Sequence, residues 1–412
     1  MISNLLSFAS AMKSVGSVLL AILILLAMVT VHEFGHYVAG KILGFKITEF
    51  AVGFGPAIFK KRSKKTGELF ALRVIPLGGY CAFDGEDYKE EEDENKAPEG
   101  EPFAEMETEE TQNEGGMVEV NEKPEDEYPE PQGAQFNDQA PWKRIIVLIA
   151  GATMNYLFAM ILLLIMVATF GVPKLMMMPT EFDKASDVPY AEWEVETLSQ
   201  RDVLLSMDGE KVALMTDIID ILKGKQAGDT FTAQVLRHKD GEWLEKTVIV
   251  NVYAEGVFAD MGDVDAIMAE MANCLGYDTY TTTLPGGFWE TIGGAFAYSW
   301  EMATAVLKTL GQLLTGQLGL NAVGGPVTTI GAISNATGSW FSFLYIASFI
   351  GVNLAVFNLL PIPALDGCKV IFCIIEWIRK KPVNRKVETI IHLVGIMVLF
   401  GFAILVDILQ LF

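Results

Sequence analysis

The stretch SVGSVLLAILILLAMVTVHEFGHY, residues 14–37, combines an apolar segment with a chemical motif. Residues 14–31 carry no charge and approach the length of about 20 apolar residues that a helix needs to cross a bilayer. The pentapeptide HEFGH, residues 32–36, follows at once. Histidines and a glutamate at the end of an apolar span are costly in lipid, and such residues indicate a functional site.

The pentapeptide matches the HExxH pattern, which predicts a zinc site. His32 and His36 share one face of a helix, so both imidazoles can bind one metal ion. Glu33 then lies close enough to act as a general base toward a water molecule, whose pKa zinc lowers to about 7. The alternative is that these polar side chains cap the span at the membrane interface.

A catalytic zinc ion usually has three protein ligands, so a third is needed. Asp366 is the only acidic residue in or next to the uncharged run 309–365. Pro361, Pro363 and Gly367 interrupt the helix there, and irregular backbone at membrane depth is tolerated only where it is buried in protein or lines a cavity. Asp366 is therefore the candidate third ligand; the alternative is an interfacial acid at a helix end.

Three further apolar segments predict membrane spans. The uncharged runs 145–173 and 389–406 each fit one span. The run 309–365 is too long for one and is rich in glycine up to residue 338, which predicts a surface or re-entrant stretch followed by a span over 340–361. Buried helices of a soluble core are the alternative, but uncharged runs of this length are typical of membrane spans.

Basic residues predict the orientation of these spans. They follow the first span, precede the second and separate the third from the fourth; they include Lys60, Lys61, Arg62, Lys143, Arg144, Arg379, Lys380, Lys381, Arg385 and Lys386. Because basic residues favour the cytoplasmic side, both termini and residues 174–338 are expected outside, with the active site near the cytoplasmic side. The first span lacks a small-residue cleavage site, so we expect it to be retained.

Charge is distributed very unevenly along the chain. Hydrophobic residues make up 51% of the 412 residues, yet the net charge is -22. Residues 84–138 hold 22 acidic residues against three lysines, which leaves a net charge of only -3 for the rest of the chain. This pattern excludes a single soluble globule and argues against a nucleic-acid partner. Residues 84–140 are expected to form a disordered cytoplasmic linker, or alternatively a docking tail for a basic partner.

Residues 180–255 differ from the rest of the chain because they predict a small folded module. Strands are expected at 203–207, 231–237 and 243–252, and a short helix at 216–223. This order suits a PDZ-like α+β module outside the membrane. Such modules bind extended peptides by adding a strand to a sheet edge.

Taken together, the motifs resemble the site-2 protease family of intramembrane zinc metalloproteases, in the bacterial branch that carries an external PDZ module. The matching stretches cover nearly the whole chain: HEFGH at 32–36, GFGP at 53–56, PLGGY at 76–80, AGATMN at 150–155 and NLLPIPALDG at 358–367. Ala152 stands where that family usually has proline, and Cys368 where it usually has glycine.

The resemblance implies roles for individual residues. It implies that His32, His36 and Asp366 bind Zn2+ and that Glu33 is the general base. It places Asn155, Asn358 and Pro361 near the substrate. It also implies a membrane re-entrant β-hairpin that holds an unwound substrate segment as an added strand, with substrate contacts at Gly53, Gly55, Gly78 and Gly79.

The expected function is hydrolysis of peptide bonds in transmembrane segments of single-span proteins, such as anti-sigma factors and remnant signal peptides, in a bacterial plasma membrane. One alternative is an inactive membrane adaptor that binds single-span proteins. Another is a zinc protease of a different fold whose third ligand is a glutamate.

The expected fold is a polytopic α-helical membrane protein with four transmembrane helices, a re-entrant β-hairpin and a PDZ-like domain. In chain order we expect the first span and hairpin at 1–83, the acidic segment at 84–140, the second span at 141–173, the PDZ-like domain at 180–255, a linker with membrane-surface or re-entrant segments at 256–338, and the last two spans at 339–412.

Overall fold

The computed structural model describes residues 2–86, 128–180, 193–258, 264–319 and 323–409. Most of the acidic segment and the beginning of the expected PDZ-like domain therefore lie outside the described residues. The elements are α1 Ile2–Leu43, β1 Ile47–Arg62, β2 Leu69–Phe83, α2 Pro141–Phe170, β3 Val172–Pro179, β4 Val203–Met207, β5 Glu210–Lys211, α3 Met215–Leu222, β6 Thr230–Lys239, β7 Glu242–Asn251, α4 Val264–Leu275, β8 Tyr277–Leu284, α5 Phe288–Leu314, α6 Pro326–Ala336, α7 Trp340–Asn358, α8 Asp366–Arg379 and α9 Arg385–Leu409.

Four helices in the described part of the chain are long and apolar enough to cross a membrane: Val15–Leu43 of α1, and all of α2, α7 and α9. They agree with the polytopic helical fold that the sequence predicts. The third candidate span ends at Asn358, before Pro361. Proline has no N–H to donate and disfavours helical backbone at the residue before it, so α7 cannot extend through this position.

Helix α2 is the centre of the helical bundle, because it packs against α1, α5, α7 and α8. Its buried residues Ala159, Leu163 and Met166 belong to one apolar cluster with residues of α5 and α7. A Cβ atom at Gly351 of α7 would stand 2.9 Å from Ala159 Cβ, so glycine permits the close approach of these two helices. The packing fixes the distance between the HExxH helix and the chain segments around it.

Strands β1 and β2 form an antiparallel hairpin that bends back on itself. Residues 47–52 pair with 79–83, residues 49–52 pair with 69–72 as well, and 57–62 pair with 69–73. Gly53 and Gly78 adopt φ angles of +88° and +101°, which L-residues with side chains rarely adopt, and they lie at the bends. Among the described residues, 79–83 pairs with 47–52 alone, so it is an edge of this small sheet.

A separate six-stranded sheet has the order β7-β6-β4-β3-β8, with β5 beside β4, and all its pairs are antiparallel. Helices α3 and α4 cover its apolar core through Ile218, Leu222 and Met271. The strands and helix expected from the sequence correspond to β4, α3, β6 and β7. The sheet is larger than expected, because it also contains β3 and β8, which precede and follow residues 180–255 in the chain.

Strands β3 and β8 join the sheet directly to the helical bundle. They pair along eight residues each, from Val172 with Leu284 to Pro179 with Tyr277. Only Gly171 separates α2 from β3. The described part of residues 256–338, expected to contain a linker and membrane-surface or re-entrant segments, thus contributes α4, β8, the long helix α5 and α6. Helix α5 exposes large aromatic side chains, among them Trp289 at 78% and Trp300 at 65%.

Candidate metal centre

Helix α1 and the beginning of α8 bring three metal-binding side chains together. His32 and His36 lie one turn apart on α1, and their Nε2 atoms are 3.1 Å from each other. Asp366 Oδ2 lies 3.0 Å from His32 Nε2 and 3.3 Å from His36 Nε2. Asp366 is 334 residues from His32 in sequence, so the tertiary fold alone produces this cluster. The structure therefore assembles the three residues expected to bind zinc.

The surrounding hydrogen bonds orient both imidazoles toward a cation. His36 Nδ1 donates to the Val147 carbonyl oxygen at 2.8 Å, so its Nε2 presents a lone pair in the neutral ring. On the other ring, His32 Nδ1 lies 3.4 Å from the Asn155 amide nitrogen. The Asn155 Oδ1 atom is buried and has no partner among the described residues. Turning this amide would let Oδ1 accept the Nδ1 hydrogen of His32, a type of contact that orients metal ligands in many proteins.

With both rings oriented in this way, three acceptors converge on one point. Two imidazole lone pairs and a carboxylate repel each other unless a cation lies between them. Tetrahedral zinc with ligands at 2.0–2.2 Å holds its ligand atoms about 3.3–3.6 Å apart. The separations of 3.0 to 3.3 Å between the three side chains reach the lower end of this range, so a small outward shift of the ligand atoms accommodates the ion. The residues present therefore suit a zinc ion bound by His32, His36 and Asp366.

A cavity of about 250 Å³ opens beside the metal ligands. Its walls include His32, Asp366 and other residues expected at the site: Glu33, Gly78, Gly79, Asn155 and Asn358. Pro361, Gly53 and Gly55, also expected to contact substrate, do not belong to the cavity wall that the described residues form. The structure therefore brings the general-base candidate and part of the substrate-contact set into one space.

The hairpin edge runs directly against the HExxH helix. A Cβ atom at Gly79 would lie 2.9 Å from the Ala51 carbonyl oxygen and 3.3 Å from Glu33 Cγ. Glycine at this position thus permits the close approach of the edge segment 79–83 to the Glu33 side chain. An extended peptide beside this edge would lie next to the cavity.

Two residues at the centre have structural roles that the sequence did not reveal. Gly151 of α2 faces both candidate histidine ligands: its Cβ would lie 2.8 Å from His32 Cε1, 2.7 Å from His36 Cε1, and closer still to His36 Nε2. His392 of α9, which has no motif partner in the sequence, accepts a hydrogen bond from the Ala364 N–H at 3.1 Å. Ala364 has a φ of +83°, so this bond supports an unusual backbone conformation two residues before Asp366. In the sequence, the one signal that Gly151 lies near the metal site is that it belongs to the AGATMN stretch at 150–155.

Comparison with known proteins agrees with this geometry. Residues 20–402 match the model of Peptidase family M50. The regulator of sigma-W protease RasP of Bacillus subtilis is 27% identical over 97% of this chain and 99% of its own length. The zinc metalloprotease RasP of Oceanobacillus iheyensis is 28% identical over 93% of this chain and 97% of its own length. A putative zinc metalloprotease of Clostridium perfringens is also 28% identical, over 95% of this chain and 97% of its own length. With a family match over most of its length and the ligand set in place, the chain belongs to Peptidase family M50 and is a zinc metalloprotease.

Proposed function

We propose that this metalloprotease hydrolyses peptide bonds within the transmembrane segments of single-span proteins in a bacterial plasma membrane. The observation that carries the proposal is the position of the candidate metal ligands His32, His36 and Asp366. His32 and His36 lie within a candidate membrane span and are buried by neighbouring helices, so the reactive centre is at the depth of an apolar substrate. The Bacillus subtilis relative is named a regulator of sigma-W protease, which favours anti-sigma factors as substrates, with remnant signal peptides as a second class.

The chain's own residues have distinct tasks in this reaction. His32, His36 and Asp366 hold zinc, which when bound polarises the scissile carbonyl and lowers the pKa of water. Glu33 on the cavity wall accepts a proton from the attacking water and donates it to the leaving amine. Asn358, on the same wall, offers its amide to the substrate backbone.

A substrate helix hides its peptide bonds in internal hydrogen bonds, so it must unwind before hydrolysis. In lipid, the freed N–H and C=O groups need partners within protein. Among the described residues, the edge segment 79–83 has a neighbouring strand on one side only, and an unwound substrate segment added on its other side as a strand would be stabilised. In this proposal the β1–β2 hairpin is re-entrant, and Gly78 and Gly79 contact substrate next to the cavity. Gly53, Gly55 and Pro361 contact it farther from the metal.

The proposed topology follows from the basic residues near the spans. Both termini and the six-stranded sheet lie outside, the acidic segment lies in the cytoplasm, and the metal centre lies nearer the cytoplasmic side. The sheet is a PDZ-like domain, which selects substrates by binding their extended ends or by excluding bulky outer domains. Helix α5 lies at the outer membrane surface, where exposed Trp289 and Trp300 suit the interface that aromatic side chains prefer.

The test compares wild type with Glu33→Gln, both as full-length protein in liposomes. Each variant receives single-span model substrates with truncated outer domains, with and without a zinc chelator. We expect cleavage within the transmembrane segment by wild type alone, loss of cleavage on chelation, and normal zinc content in Glu33→Gln. Cleavage that persists in Glu33→Gln would contradict the assigned general base. Cleavage confined to soluble loops would contradict hydrolysis within the membrane.

A non-catalytic adaptor would use the same surfaces without hydrolysis. The converging acceptors of His32, His36 and Asp366 argue against it, because mere binding of a single-span protein does not require such a metal site. In the experiment above, an adaptor would retain single-span proteins equally in wild type and Glu33→Gln and cleave none of them.

A further inference from the structure

A second cavity, of about 300 Å³, lies between α2, α8 and α9. It shares a single wall residue, Ala364, with the cavity beside the metal. Three basic side chains line it, and they come from the beginnings of two candidate spans and from α8: Arg144, Lys369 and Arg385. Helix ends of this kind lie at the membrane surface, so this cavity occupies the depth of lipid headgroups.

The wall of this cavity carries buried donors that lack acceptors. Arg144 is only 1% exposed, and its Nη2 atom donates to Glu376 Oε1 at 2.5 Å. Its Nε and Nη1 atoms have no partner within the described ranges. His392 Nδ1 accepts the Ala364 N–H, so in the neutral ring Nε2 carries the hydrogen, and this atom is also buried without a partner there. Buried polar groups without partners are rare and call for an acceptor.

The acids on the wall do not supply that acceptor. Glu86 pairs with Lys369 at 2.6 Å and Glu388 pairs with Arg385 at 2.8 Å. Among the buried side-chain atoms of the described residues, the unpartnered acceptor on this wall is Asn137 Oδ1, and the Asn137 amide nitrogen donates to the Gly85 carbonyl oxygen. A group with several oxygen atoms and a negative charge would satisfy the Arg144 and His392 donors together, because charge-assisted bonds to a guanidinium are among the stronger protein hydrogen bonds.

The apolar part of the wall distinguishes a lipid from a small anion. Leu393 and Ile396 of α9 also line the cavity, and each remains more than half exposed at 52% and 54%. The cavity is thus polar inside and apolar along the lipid-facing side of α9. This arrangement suits an amphiphile with an anionic head and an acyl chain that follows the helix. Basic pockets between membrane helices recognise anionic headgroups in this way.

We propose that this cavity binds the phosphate group of an anionic phospholipid, with Arg144 and His392 as donors and Arg385 as a second positive charge. The His392 bond to Ala364 connects the bound headgroup to the backbone that precedes Asp366. This site and its ligand are independent of the peptide substrate that the protease cleaves.

The test measures lipid retention by native mass spectrometry of the full-length protein taken from mixed phosphatidylglycerol and phosphatidylcholine nanodiscs. We expect wild type to retain phosphatidylglycerol at least about tenfold more than phosphatidylcholine, and Arg144→Gln to lose this preference. Arg385→Gln serves as a second variant, because Arg144→Gln also removes the closer of the two arginines that pair with Glu376. Lys381→Gln removes a charge from the exposed loop between α8 and α9, outside the cavity wall, and is the matched control.

Each result decides the proposal. Loss of preference in Arg144→Gln and Arg385→Gln, with Lys381→Gln within twofold of wild type, supports a specific site. An equal loss in Lys381→Gln would show general attraction to the surface and overturn it. Displacement of the lipid by millimolar inorganic phosphate, with no preference between lipids, would make the occupant a free anion and also overturn it.

Discussion

Replacing Gly151 by alanine should displace the candidate zinc ligands His32 and His36 while leaving the fold intact. The new Cβ would lie 2.7 Å from His36 Cε1 and 2.8 Å from His32 Cε1, whereas ordinary contacts begin at 3.4 Å. The rings must therefore move by at least about 0.6–0.7 Å, and His36 Nε2 by more, whereas zinc sites tolerate ligand displacements of only about 0.2 Å. In contrast, alanine in the middle of α2 favours the helix itself by about 1 kcal/mol relative to glycine.

The expected magnitude follows from the cost of overpacking. Inserting a methyl group into a filled site typically costs about 1–3 kcal/mol. If that cost falls on the zinc-bound state, zinc binds about 5- to 150-fold more weakly. The change comes from steric displacement of Nε2, because neither ligand is chemically altered. The effect should therefore appear in metal affinity before it appears in stability without metal.

The assay is competition for zinc between the full-length protein in detergent and a chromophoric chelator. Thermal unfolding in the presence of excess chelator reports on the metal-free fold. Gly401→Ala on α9 is the matched control, because nothing lies within 4 Å of its added Cβ. Zinc affinity of Gly151→Ala within twofold of that of Gly401→Ala would refute the steric reasoning. A large loss of metal-free stability would mean that the clash disturbs the α1–α2 packing instead.

Further predictions concern the ligand support, the hairpin edge and the sheet. Asn155→Ala should weaken zinc binding by about 10- to 100-fold, as loss of ligand-orienting contacts typically does, and unchanged affinity in the chelator assay would argue against its contact with His32. Gly79→Ala places a Cβ 2.9 Å from a backbone oxygen and 3.3 Å from Glu33 Cγ, so substrate cleavage should fall while zinc content stays normal; wild-type turnover would be inconsistent with an essential edge. Arg237→Met leaves buried Asp202 without its bidentate partner and should destabilise the sheet by about 3–5 kcal/mol in urea unfolding, whereas Lys211→Met, from a partly exposed pair, should cost less than about 1 kcal/mol. A cost for Arg237→Met as small as that for Lys211→Met would contradict this account.

The sequence by itself determined the features that depend on neighbouring residues. The HExxH register places His32 and His36 on one helical face because the helix repeat fixes the i and i+4 positions. Uncharged runs identified four helices long and apolar enough to span a membrane, because composition along a single segment decides that property. Alternating apolar residues and turn signals likewise predicted β4, β6 and β7 close to their observed bounds.

The tertiary structure decided what depends on distant segments. The sequence named Asp366 as a candidate ligand, but only the packing of α1, α2 and α8 brings its carboxylate to 3.0 Å from His32. The same packing makes Val147 the partner of His36 and brings Gly151 against both rings. It also connects His392 to the backbone before Asp366, although nothing in the sequence pairs them. Such contacts arise from the mutual fit of whole helices, and a local pattern does not encode the distance between helices.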